Sequence, residues 1–454
     1  MGDRKVLASA MITAFMTTFM SSALNLSIPA LESFFGVSAA AIGWIVSSYT
    51  ISVAALSLPM GKVADMTGRR KVFITGIIGF ALISVMCIFV SNIGLLIALR
   101  ALMGACSGMI FATNNAILIS SYPPGMRGKV LGYSTAATYI GLTTGPVAGG
   151  FLNSAFGWRS IFVVTGLVSA AALTAALRSG YRDAETSHPA GHPDIAGALL
   201  YIFSIIASLY GMSRLGAAPG AGVILAAGLI ALAVFFVYES RRDDPLMKVS
   251  MFRRSRTFTF SCLAALLNYG ATFAISYTVS IYLQVIIGIS SARAGLILIT
   301  MPAVQALFSP LTGSMSDRVR PGLLASIGMG ICMCTLLLFS RLGEGTRMVY
   351  IIMTLCLTGF GFAMFSSPNT NAILSCVDRE DYGVANSIIA TMRTYGQSSG
   401  MAILSVITAA MLGSGSLETS SHADILAMMH TSFMVFAVLS VIGLFFSLAR
   451  DSGK

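Results

Sequence analysis

Carboxylates are scarce in this chain: 17 aspartates and glutamates among 454 residues, with none near the middle of any long apolar run. Histidine is scarcer still, at four. With no nucleophile–base pair, metal-ligand cluster or phosphate loop in sight, a membrane-embedded enzyme has nothing to work with, and no metal or organic cofactor is expected. The seven cysteines (Cys87, Cys106, Cys262, Cys332, Cys334, Cys356, Cys376) are odd in number and form no C-x-x-C pair. That argues against a disulfide framework or zinc site and leaves them as small packing residues. Long polar segments are also missing. The longest, about 178–194 and 239–256, read as linkers, and His188-Pro-Ala-Gly-His192 reads as a loop rather than a ligand pair.

What the chain has in excess is apolar length. It is 56% hydrophobic and only 10% charged, far from a soluble balance. Fourteen runs are long enough to cross a bilayer: about 6–29, 42–60, 72–90, 94–118, 128–152, 158–177, 195–213, 220–238, 257–283, 293–313, 322–340, 347–372, 383–412 and 425–448. The expected fold is therefore all-α and polytopic. Arg4-Lys5 precedes the first run without a convincing cleavage site behind it, so a retained first helix is expected rather than a signal peptide.

The net charge of +11 does not point to nucleic acid, because no basic patch interleaves with aromatics. With the N-terminus inside, 21 of the 28 lysines and arginines fall in cytoplasmic segments. This asymmetry predicts an even number of spans with both termini in the cytoplasm.

Between the second and third runs lies Gly61-Lys62-Val63-Ala64-Asp65-Met66-Thr67-Gly68-Arg69-Arg70-Lys71. Two glycines allow a tight reversal, Asp65 is placed to meet a helix end or an arginine, and the basic triplet anchors the turn inside. The pattern recurs as Gly313-x-x-x-Asp317 with Arg318 and Arg320, 252 residues later. Asn115-Ala-Ile-Leu118 recurs as Asn371-Ala-Ile-Leu374, and Thr138-Tyr139 as Thr394-Tyr395, at 256. Three echoes in one register predict two six-helix bundles, 1–180 and 257–454, separated by a linker with two inserted helices, 181–256.

Arg100 lies inside the fourth run in Leu99-Arg100-x-x-x-Gly104-x-x-x-Gly108; a guanidinium there is costly unless it faces water or a partner, a snorkelling arginine being the alternative. The fifth run holds Gly141-Leu-Thr-Thr-Gly145-Pro146-Val-Ala-Gly149-Gly150, with small residues for close helix approach and a proline that bends the helix.

The Gly61–Lys71 turn resembles the signature between the second and third helices of the major facilitator superfamily, and the fifth-run glycines resemble that superfamily's antiporter motif. Trp44 to Tyr49, Gly157-Trp158-Arg159, Pro245-Leu246, Met251-Phe252-Arg253 and Arg393-Thr-Tyr395-Gly396 look like its fourteen-helix drug:proton antiporter group. The resemblance covers nearly the whole chain. It implies a cytoplasmic gate at Gly61, Asp65, Gly68, Arg69, Arg70 and Asp317, with Arg100 beside a proton route. A hinge at Gly141, Gly145, Pro146, Gly149 and Gly150, at the interface between the halves, is also implied.

One departure matters. The group commonly carries an aspartate in the first helix five residues before an asparagine that is four before a proline; Asn25 and Pro29 fit, but the acidic position is Met20. Coupling would then run through Asp65 and Arg100, or the substrate is neutral, zwitterionic or anionic with Arg393 as its counter-charge. The cavity lining expected from polar or aromatic residues in apolar helices is Asn25, Tyr49, Asn114, Asn115, Tyr139, Asn268, Tyr277, Gln284, Asn369, Asn371, Arg393, Tyr395 and Gln397. The resulting expectation is a monomeric exporter in a cytoplasmic membrane, moving amphipathic or hydrophobic small molecules by alternating access, with the proton as coupling ion. A dedicated metabolite or lipid exporter and a non-transporting sensor are the alternatives.

Overall fold

Residues 4–24, 27–37, 39–181, 183, 194–215, 220–242, 244–412 and 421–450 are described in a computed structural model of the chain. The His188–His192 loop and Asn25 lie outside them. The long helices are α1 Arg4–Ala23, α2 Ala39–Thr67, α3 Arg69–Ile88, α4 Ile93–Ser121, α5 Arg127–Phe156, α6 Arg159–Leu177, α7 Ile195–Arg214, α8 Ala221–Glu239, α9 Arg256–Ile281, α10 Arg293–Met315, α11 Pro321–Phe339, α12 Met348–Ser375, α13 Tyr382–Leu412 and α14 His422–Ala449.

Among the described residues, 12 of these helices are long and apolar enough to cross a bilayer. The remaining two, α5 and α13, have the length at 30 and 31 residues but carry many glycines, threonines and serines. Composition explains why. These two helices pack closely on other helices, and small or hydroxylated residues serve that better than leucine does.

The chain folds back on itself in two equivalent patterns. In the first, α1 packs on α5 and α6, α2 on α4, and α3 on α4 and α6. In the second, α9 packs on α13 and α14, α10 on α12, and α11 on α12 and α14. Adding eight to each helix number converts one set of pairs into the other. The two halves meet through α2 with α13 and α5 with α10, pairs that the same operation exchanges. Pro59 of α2 and Pro310 of α10 lie two residues before Gly61 and three before Gly313, where each removes a backbone donor near the meeting point.

The inserted helices α7 and α8 pack on each other, and α7 lies along both α2 and α13. Tyr201 joins Thr391 at 2.8 Å, Ser208 bonds Tyr395, and Trp44 stacks on Tyr210 at 5.3 Å between centroids. The insert is therefore seated on the seam between the halves rather than on one of them.

Candidate functional site

The turn after α2 requires Gly68. Its φ of +109° is one that L side chains rarely adopt, and a Cβ there would lie 2.7 Å from an Asp183 carboxylate oxygen. Asp183 in turn accepts from the backbone N–H groups of Arg69 and Arg70, capping the start of α3. The Arg70 guanidinium donates to the carbonyls of Tyr181 and Leu177, so this side chain ties the turn to the end of the first bundle.

Asp65 faces the opposite half. Its two carboxylate oxygens accept from the N–H groups of Gly383 at 3.1 Å and Val384 at 3.0 Å, the unsatisfied donors at the start of α13. Arg69 pairs with Asp65 at 2.7 Å and reaches the carbonyls of Arg379 and Glu380, which precede α13. It also lies over the Tyr382 ring, 5.5 Å from the centroid.

Asp317 repeats the geometry from the second half. It accepts from the N–H groups of Gly128 at 2.7 Å and Lys129 at 2.9 Å, at the start of α5. Each motif aspartate thus places an anion on the positive end of the other half's helix. The latches differ in one respect: Arg318, in the place after Asp317, is exposed, and no described ion pair joins it to Asp317.

Glycines make this approach possible. A Cβ on Gly61 would fall within 3 Å of the Gly383 carbonyl oxygen, and one on Gly313 within 3 Å of the Gly128 carbonyl oxygen. The basic face of the molecule is closed.

Behind the latches lies a polar cavity with about 70 Å³ of free space. Its polar lining is Asn114, Asn115, Ser134, Thr135, Thr138 and Tyr139 from the first half and Tyr269, Ser366, Thr370, Asn386 and Arg393 from the second, with Ala14, Phe111, Ile389 and Ala390 as its apolar part. That volume holds a few waters and is well short of the roughly 300–1,000 Å³ of a drug-sized ligand site, so the halves must move to admit one. Asn115 donates to Asn386 at 3.0 Å across the seam, and Asn386 donates to the Phe111 carbonyl. The Arg393 guanidinium rests over the Phe111 ring at 5.2 Å from the centroid, and no described carboxylate pairs with it. Among the described residues, the cavity therefore carries one uncompensated positive charge.

The structure brings together only part of the lining expected from sequence. Asn114, Asn115, Tyr139 and Arg393 reach the cavity. Tyr49 instead bonds Ser107 and the Thr17 carbonyl inside the first half. Asn371 bonds Ser316, and Asn369 bonds Arg450 and the Ser261 carbonyl, both within the second half. Asn268 is fully buried away from the cavity lining, and Tyr395 is taken up by Ser208 of the insert. Tyr277 is 46% exposed, Gln284 folds back on Ser280, and Gln397 is half-buried without joining the lining. An amide in an apolar helix marks a hydrogen-bonding need but not which neighbour meets it. Asn386 carried that same signal and is the seam residue that reading the sequence passed over.

The glycine series of α5 also serves a different partner from the one expected. Cβ atoms on Gly141, Gly145 and Gly149 would collide with α1, at Thr18 and the Phe15 carbonyl, at Ser22, and at the Ala23 carbonyl. Of the α5 glycines, Gly128 and Gly132 at its start are the ones that press on the other half. Pro146 and Gly150 lie on the α1-facing stretch of that helix, so the residues of the expected hinge sit inside the first bundle rather than between the halves.

Arg100 is fully buried. Its Nε donates to the Ile45 carbonyl at 3.0 Å, its guanidinium covers the Tyr49 ring at 4.5 Å, and one terminal nitrogen has no partner. Ile45 and Asp65 are separated by roughly 30 Å along α2 at about 1.5 Å per residue, so Arg100 and Asp65 sit at opposite ends of one helix. An unpaired buried cation costs stability. Arg100→Met is accordingly expected to keep or raise the melting temperature in detergent while transport falls at least about tenfold, a split read by thermal unfolding beside a flux assay.

Two pseudo-symmetric helical bundles, membrane-spanning helices and a polar cavity behind a closed face define a multi-pass membrane transporter. The chain belongs to the Major Facilitator Superfamily, whose model matches residues 10–252 and 261–454. Members of this family are transporters rather than enzymes. Among similar proteins, the riboflavin transporter RibZ of Clostridioides difficile is 26% identical over 95% of this chain and 94% of its own length. The multidrug resistance protein Stp of Mycobacterium tuberculosis is 28% identical over 89% of this chain and 75% of its own. The tetracenomycin C resistance and export protein of Streptomyces glaucescens is 26% identical over 88% and 75%. In three dimensions the human organic anion transporter MFSD10 (TETRAN) matches with a TM-score of 0.69 over 98% of this chain and 99% of that one, at 15% identity, a likeness of fold.

Proposed function

We propose that this protein exports amphipathic small molecules from the cytoplasm across a cytoplasmic membrane, by alternating access coupled to proton influx. The observation that carries the reading is the uncompensated Arg393 in a polar cavity behind paired aspartate latches. A transporter must hold its substrate and also exchange one closed face for another; the cavity serves the first need and the latches the second. Because no described carboxylate faces Arg393, the preferred substrate is an anion or a neutral amphipath rather than an organic cation.

The basic face corresponds to the cytoplasm by the distribution of lysine and arginine, so the closed latches describe a cytoplasm-closed state. Several drug-resistance relatives support export. The riboflavin transporter, which this chain matches nearly end to end, supports a second reading: movement of one endogenous aromatic metabolite.

Reconstituted vesicles test the proposal. An imposed pH gradient is expected to drive uptake of an anionic amphipathic dye and to dissipate as it does so; no movement under any imposed gradient removes the proton-coupled reading. Arg393→Gln is expected to lower the apparent affinity for anionic dyes by about tenfold, the effect of losing one charge-assisted contact, and to leave neutral dyes nearly unchanged. Competition by one metabolite alone, with dyes inert, favours the second reading.

A further inference from the structure

The base of the insert holds two carboxyl groups that neither the latches nor the cavity uses. Asp194 caps α7, its Oδ1 accepting from the Gly197 N–H at 2.9 Å and from the Tyr238 hydroxyl at 3.2 Å. Glu239 ends α8 and is 1% exposed, its Oε2 accepting from the Met247 N–H at 3.0 Å. The remaining oxygens, Asp194 Oδ2 and Glu239 Oε1, are buried and have no hydrogen-bond partner. A Cβ on Gly197 would sit within 3 Å of both, which puts them within about 5 Å of each other.

Each of these oxygens is an acceptor facing another acceptor. Two ionised carboxylates so placed, out of water, repel strongly, and a single proton satisfies both when the oxygens draw together to about 2.5–2.7 Å. Among the described residues, the other charged or titratable groups facing the pair are Tyr238 and Arg242. Arg242 donates to the Tyr238 hydroxyl and approaches Asp194 Oδ2 only to 3.9 Å, with its side chain half exposed.

The segment after α8 gives this pair mechanical reach. Leu246 and Met247 are buried, held by the Glu239 carboxylate. On either side of them, Asp244 pairs with Lys62 of the α2 latch at 2.7 Å, and Lys248 pairs with Asp381, just before α13, at 2.8 Å. The segment is a strap across the closed basic face, tied to both halves and anchored on Glu239.

We propose that Asp194 and Glu239 bind one proton between them, and that releasing it unfastens the strap and allows the basic face to open. With the proton bound, α7 and α8 are joined and Glu239 holds Met247. When it leaves to water on the basic side, the two carboxylates separate, Glu239 releases the Met247 N–H, and the strap loses its buried anchor. Low pH therefore favours the closed face and rising pH favours opening. The idea deepens the transport reading, since it supplies a proton site in a chain whose membrane centre has none.

The test uses the full-length protein in nanodiscs, with native cysteines replaced and spin labels at the exposed Lys71 and Arg318, one in each half. Double electron–electron resonance between about pH 5 and 8 is expected to show a growing long-distance population, by up to about tenfold per pH unit for one linked proton. In Glu239→Gln, whose amide donates to Asp194 without a proton to lose, the short distance is expected to persist throughout; Asp194→Asn should behave alike and serves if the first variant does not fold. A pH response unchanged in these variants, which would assign it to Asp65, overturns the proposal, as does a wild-type protein with no response. The readout needs no substrate, so it stands or falls separately from any flux measurement.

Discussion

Asp65→Asn is expected to abolish net transport in reconstituted vesicles while expression and helical content stay normal. Asp65 and Arg69 are a largely buried ion pair, with side chains 8% and 12% exposed, and the carboxylate also takes two N–H groups at the start of α13. Hydrogen bonds to a charged acceptor contribute about 1.5–3 kcal/mol each, and removing one partner of a buried pair strands the other. A net loss of about 3 kcal/mol shifts the closed-face population by roughly a hundredfold, enough to stall a cycle that must pass through that state. Asp317→Asn is the internal comparison. Its asparagine oxygen keeps one of the two N–H contacts and no paired arginine is stranded, so the loss of one contact of about 1.5 kcal/mol, a smaller defect of about tenfold, is expected. Equal defects in the two variants, or near-normal flux in Asp65→Asn, would show that the arginine pairing does not set the latch strength.

Gly313→Val is expected to reduce transport to background for a steric reason. The added side chain would enter the Gly128 carbonyl, which is backbone on the opposite half and relieved by separating α5 from α10; it would also press the Ser367 hydroxyl of its own half, which can rotate away. The basic face then cannot close, yet each bundle keeps its internal packing, and the melting temperature should change little. Gly145→Val makes the converse case. Its side chain would enter Ser22 and the Phe19 carbonyl of α1, within one bundle, so lost thermal stability should accompany lost flux. Thermal unfolding measured beside flux separates the two; a Gly313→Val protein as destabilised as Gly145→Val would mean that the inter-half contact also holds the fold together.

Those two glycines also show where reading the sequence reached its limit. Gly61–Lys71 and its echo at Gly313–Arg320 were legible as a matched pair, because turn glycines, an acid and basic residues at set intervals have a local physical meaning. Their partners were not legible. Gly383, Val384, Gly128 and Lys129 contribute backbone N–H groups, which every residue possesses, so no side-chain pattern announces them. The α5 glycines were legible as a close-packing face, but the neighbour they press against is set by rotation of the helix about its axis, and that neighbour is α1. For the same reason Tyr49, Asn369 and Asn371 turned inward to their own bundles while Asn386 reached the seam.

The sequence by itself determined the class of molecule: apolar length and scarce charge demand membrane helices, and the repeat at 252–256 residues calls for two related halves. Tertiary structure alone decided which polar groups face each other. It put Asp65 and Asp317 on opposing helix starts, left Arg393 without a counter-ion among the described residues, and set Asp194 against Glu239 under a strap between Lys62 and Asp381. Hydrophobic length is a property of consecutive residues and survives in one dimension. Which polar groups meet depends on helix rotation and packing between segments far apart in the chain, and exists only once the helices are assembled.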